Sequence, residues 1–147
     1  MSKLVAPHGG GPLLPLLGAE NARAGELDRA KDLKQLPMTS CEVSDILMFS
    51  MGAYTPLGGF MSEADWHGTC IDMALENGVF WPIPVTLSTD TNIADSIEIG
   101  EEIALMDPDQ GIIMAIMTVT EKYANDKTLE CEHVYKTTDS AHPGVAR

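Results

Sequence analysis

The sequence predicts an α+β fold in which helices come first and mainly antiparallel strands follow, curling into a small, strongly bent sheet or pseudo-barrel. Three observations carry this expectation. In the first half, apolar side chains recur at helical spacing, as Val43, Ile46, Leu47 and Met51 and again as Trp66, Cys70, Met73 and Ala74. From Ile83 onward the pattern changes to alternation and short apolar runs bounded by turn residues. Between the two helical stretches lies the cassette Tyr54-Thr-Pro-Leu-Gly-Gly-Phe-Met61, where Pro56 fixes one backbone angle and Gly58 and Gly59 permit positive ones. At 147 residues the chain fits a single domain over 1–147, large enough to bury roughly two-thirds of its unfolded surface.

In chain order, residues 1–18 read as an extended arm punctuated by Pro7, Pro12, Pro15 and glycines. Leu13, Leu14, Leu16 and Leu17 predict that this arm docks on a core. The stretch from Ala19 to Leu33 is rich in Ala, Glu, Arg and Lys and predicts a surface helix, weakened by Gly25. Leu36-Pro-Met38 is short and extended. Thr39-Ser-Cys-Glu42 then has the spacing of a capping box, with Thr39 at the N-cap and Glu42 reaching back to its amide. Gly52 suits the left-handed position that ends the helix. A further helix is predicted from Ser62, with Glu63 and Asp65 in its positively polarised first turn, and an end at Asn77-Gly78.

The strands predicted are Ile83–Leu87, confined to an edge or bulge by Pro82 and Pro84, and Ile97–Leu105, bent about Gly100. Asp107-Pro-Asp-Gln-Gly111 is turn chemistry for a hairpin into Ile112–Thr120, whose apolar residues on both faces predict burial between layers. Leu129–Lys136 is predicted as the last strand, with Cys131, His133 and Tyr135 on one face, and Thr89–Ser96 as the most flexible loop.

Composition narrows the function. Acidic residues outnumber basic ones 22 to 9, for a net charge of −13. A field of that sign repels phosphate backbones and anionic membranes, so neither nucleic acid nor membrane is an expected partner. No apolar run approaches the roughly 20 residues that span a bilayer, and prolines and glycines break any signal-peptide core near the start, so the expected location is cytoplasmic. Cys41, Cys70 and Cys131 are odd in number and widely spaced, which fits neither a disulfide framework nor a zinc knuckle. Cys70 reads as a small buried hydrophobe.

The residue types that carry chemistry do not assemble into a motif. His8-Gly9-Gly10-Gly11 has the glycines of a phosphate loop but follows no strand and lacks the Lys-Ser/Thr pair. His8, His67, His133 and His142 share no metal-ligand spacing. Glu98, Glu101 and Glu102, like Asp107 and Asp109, lie in or beside turns where solvated acids are common. Asp139 and His142 are expected to order a loop. No catalytic, cofactor-binding or metal-binding residue is therefore expected in this chain.

Several segments in collinear order nevertheless point to a family: Asp45-Ile-Leu-Met48 before the Tyr54–Met61 cassette, then Asn77-Gly-Val-Phe-Trp-Pro-Ile-Pro-Val-Thr-Leu87, Ile103-Ala-Leu-Met-Asp107, and Val134-Tyr-Lys-Thr-Thr-Asp139 with His142-Pro-Gly144. Together they resemble the N-terminal domain of the ATP sulfurylase (sulfate adenylyltransferase) family. The resemblance implies a PUA-like pseudo-barrel that precedes a catalytic domain. It also implies a parent activity that makes adenosine 5′-phosphosulfate and pyrophosphate from ATP and sulfate, with Mg²⁺ accompanying the nucleotide. The family's Gln-x-Arg-Asn-Pro-x-His-x-x-His and Gly-Arg-Asp-His motifs do not occur, and Arg23, Arg29 and Arg147 are the chain's three arginines. The implied role is structural, inactive in isolation and without a cofactor of its own, with the parent's catalytic domain and further copies of the chain as partners. The family's domain continues past His142-Pro-Gly-Val145, so the barrel's last strand is expected to lie outside these residues. An expressed fragment, a split gene product and a truncated gene all fit. The alternative reading is a stand-alone PUA-like binding module, which the charge opposes.

Overall fold

Capping chemistry defines a 12-residue helix, the longest among the described residues. In the computed structural model, which describes residues 4–146, Thr39 Oγ1 accepts the amide of Glu42 at 3.3 Å while Glu42 Oε2 accepts the amide of Thr39 at 2.6 Å. This reciprocal box opens α2 (Ser40–Met51), and Gly52, at φ 78°, closes it in the left-handed conformation. The sequence expectation holds at both ends. Ahead of α2 come a single 3₁₀ turn at His8–Gly10, α1 (Glu20–Ala30) and β1 (Lys34–Pro37). After it come α3 (Glu63–Asp72), α4 (Thr91–Ser96), β2 (Glu102–Asp107), β3 (Ile112–Thr118), α5 (Lys127–Glu130) and one π-helical turn at Cys131–Tyr135. The fold is α+β, as predicted, and it divides into two compact units.

The first unit comprises residues 4–60 and 87–122. Its sheet has the order β1-β2-β3. The β2–β3 pair is the predicted antiparallel hairpin, with Asp107 Oδ1 accepting the amides of Asp109 and Gln110 across the turn. Its register shifts between Leu105 and Met106, which leaves Met114 as the extra residue on β3. β1 pairs in parallel with β2, Leu36 opposite Leu105. The sheet is therefore mixed, where mainly antiparallel strands were expected. The predicted strand across Gly100 is also cut back. Gly100 turns the chain at φ 90°, its amide bonding Val119 O, and regular pairing starts only at Glu102. Thr89–Ser96, expected as loop, contains the one-and-a-half turns of α4. The core gathers Leu36, Met38, Ile97, Ile103, Leu105 and Val119. Val43 and Ile46 of α2 and Met117 of β3 pack against it.

The N-terminal arm lies on the C-terminal end of α2. The amides of Leu16 and Leu17 donate to Phe49 O and Ser50 O in the last turn of the helix, where Phe49 O also accepts the Gly52 amide. Leu14 donates to Thr55 Oγ1, and that hydroxyl donates to Gly52 O. The docking is as predicted, but it is made through the backbone. The leucine side chains stay well exposed, Leu13 at 57% and Leu17 at 77%.

The second unit comprises residues 61–86 and 123–146. Ser62 Oγ accepts the amide of Asp65 and opens α3, whose buried stripe is Trp66, Thr69 and Cys70. The helix ends earlier than predicted, at Met73, which adopts the left-handed conformation at φ 53°. A close approach explains the early end. Ala74 N donates to Gly68 O, and a Cβ on Gly68 would sit 2.6 Å from Ala74 O. Ile83–Leu87, predicted as a strand, forms none, and the chain bends at Ile83. Pro82 and Pro84 have no amide to donate, and Val85 instead exchanges bonds with Met61, its carbonyl accepting the Met61 amide at 2.9 Å. Leu129–Lys136 is helical where a strand was predicted. Asp126 Oδ1 accepts the amides of Thr128 and Leu129 at 3.0 Å each, which starts α5, and Lys136 at φ 58° closes the π turn.

Candidate functional site

The acidic groups singled out in the sequence serve the first unit's own structure. Lys34 Nζ pairs with Glu101 at 2.9 Å, and Glu101 Oε2 also accepts the amide of Glu98 at 2.8 Å. Lys34 and that amide hold the Glu101 carboxyl below the usual range. Glu102 pairs with Arg29, whose guanidinium also binds Glu26 at 2.7 Å. Between them, Glu102 and Glu26 raise the guanidinium's already high pKa. Lys31 is tied to Asp28 at 2.8 Å, and Lys122 Nζ donates to the carbonyls of Ala94 and Ile97. Asp107, 4% exposed, is occupied by the hairpin turn.

The other named residues are dispersed. Gly10 donates its amide to Pro7 O at 3.0 Å, so the glycine run closes on itself. A Cβ on Gly9 would meet Pro56 Cγ at 3.3 Å, which gives that glycine a packing reason. His67 and His133 are exposed on their helical turns. His142 Nδ1 accepts the amide of Gly144, its ring lies 5.2 Å from that of Tyr135, and Asp139 accepts the amide of Ala141. These are the loop-ordering roles expected of Asp139 and His142. Among the described residues, no three His, Cys, Asp or Glu side chains converge to hold a metal ion.

Two polar groupings escaped sequence reasoning. Glu42 is 5% exposed and bonds four donors: the amide and hydroxyl of Thr39 on Oε2, and the amide and hydroxyl of Ser88 on Oε1, at 2.7 and 2.8 Å. The capping box gave away the first half. Ser88 lies 46 residues on and carries no local signal. In the second unit Trp66 Nε1 donates to Glu130 Oε2 at 2.8 Å, and Asn125 Nδ2 reaches the same oxygen at 3.3 Å. Cys70, beneath them, is pushed up to about 12 by burial and then by the Glu130 charge. Tyr54 also rises to about 12, through burial and its 2.7 Å bond to Asp45.

An apolar groove of about 460 Å³ lies in the first unit, between the arm, α1 and β3. Leu16, Leu17, Leu27, Phe49, Phe60 and Ile116 contribute to it. A second hollow of about 490 Å³ lies between Thr39–Ser40 and the Asp107–Gln110 turn. Neither has the convergent cations that a nucleotide triphosphate with Mg²⁺, or sulfate, needs. Arg23, on the groove, shares it with Glu26, and Arg29, Lys31, Lys34 and Lys122 are engaged as above. The residues lining these two hollows do not fit that substrate pair.

This arrangement of a small mixed sheet with flanking helices defines a class. The chain matches the PUA-like domain family over residues 5–147 and belongs to it. More particularly, it corresponds to the N-terminal PUA-like domain of sulfate adenylyltransferases. It is 54% identical over 145 residues to the sulfate adenylyltransferase of Thiobacillus denitrificans, covering 99% of this chain and 35% of the relative. It is likewise 54% identical over 149 residues to that of Syntrophobacter fumaroxidans, covering 100% of this chain and 36% of the relative. The chain thus spans about a third of the length of these relatives. Among solved structures, the hexameric APS kinase from Thiobacillus denitrificans superposes with a TM-score of 0.69 at 34% identity, over 84% of this chain and 24% of that one.

Proposed function

We propose that this chain is the structural domain of a sulfate adenylyltransferase, the nucleotidyltransferase that joins ATP and sulfate into adenosine 5′-phosphosulfate and releases pyrophosphate. It supports a catalytic domain that holds the reacting groups and is inactive by itself. Its mixed sheet is part of the family's PUA-like pseudo-barrel, and its place is the cytoplasm. The observation that carries this reading is the use of its cations. Stabilising the crowded charge between sulfate and the α-phosphate needs preorganised positive groups, whereas Arg29, Lys31 and Lys34 are neutralised by neighbouring carboxylates. A role in subunit association accompanies the scaffold role. The solved neighbour is described as hexameric, and exposed leucines on the arm leave apolar surface for a partner.

A chimera tests the proposal. In the Thiobacillus denitrificans sulfate adenylyltransferase, the region matching this chain is exchanged for residues 1–147, and pyrophosphate release from ATP and sulfate is followed. Activity should stay within about tenfold of the parent, which corresponds to about 1.4 kcal/mol of transition-state stabilisation. Loss of turnover in a folded chimera would mean that the exchanged region carries residues the chemistry requires.

A further inference from the structure

No further inference is drawn: the strongest candidate, the apolar groove between the N-terminal arm, α1 and β3, is an unpartnered apolar surface, and nothing in the structure shows what covers it.

Discussion

Glu42 illustrates how one side chain can fasten two distant pieces of backbone. It is almost wholly removed from water, and its oxygens accept the amides of both Thr39 and Ser88. Glu42→Ala would leave two amides and two hydroxyls without their acceptor, at a cost of about 2–3 kcal/mol. Urea unfolding should show this as a lower midpoint with an unchanged slope. An effect below about 0.5 kcal/mol, the range typical of surface substitutions, would mean that water or other groups replace the carboxylate. Cys70 and Tyr54 make a second residue-scale case. Their folded values near 12 lie above the ordinary 9.0 of a thiol and 10.0 of a phenol. As pH rises above roughly 9, the unfolded chain releases these protons first and binds fewer than the native state, so stability falls with pH until about 12. Below that window the two groups contribute no slope. At pH 8 a thiol reagent should modify exposed Cys41 readily and native Cys70 only on unfolding. Equal rates at the two cysteines would contradict the buried environment assigned to Cys70.

Helices and turns with local chemistry could be read from the sequence, and those held by distant partners could not. The Thr39–Glu42 box, the Gly52 cap and the Asp107–Gly111 turn each lie within a few residues, so their side chains announce them. In contrast, Leu129–Lys136 reads as a strand, with Cys131, His133 and Tyr135 on one face, yet α5 (Lys127–Glu130) and the π turn occupy it. The Asp126 cap and the bond from Trp66, 64 residues earlier, decide this. The arm and the end of α2 form a third kind of element, a segment without regular structure that completes a helix. Thr55 is its fastener, 6% exposed, accepting from Leu14 and donating to Gly52 O. Thr55→Val should therefore cost about 1–2 kcal/mol and speed proteolytic cleavage within residues 4–18 under native conditions. If the unfolding midpoint fell while the arm kept its resistance, the hydroxyl would matter to α2 alone, and the arm would be held by its other contacts.

For the molecule as a whole, the sequence foretold the α+β class but not the parallel pairing of β1 with β2. That pairing joins residues 69 positions apart, Lys34 with Ile103, and parallel neighbours leave no hairpin signature between them. The ion pairs of Arg29 and Lys34 carry no local signal in the sequence, because Arg29 meets Glu102 across 73 residues and Lys34 meets Glu101 across 67. We propose that these 147 residues shape and support an enzyme whose chemistry resides elsewhere. The most direct measurement is pyrophosphate release by the purified chain with ATP, Mg²⁺ and sulfate, after confirming a cooperative unfolding transition. The rate should equal that of the protein-free blank. Sulfate-dependent turnover that co-elutes with the chain and persists through repeated purification would contradict it.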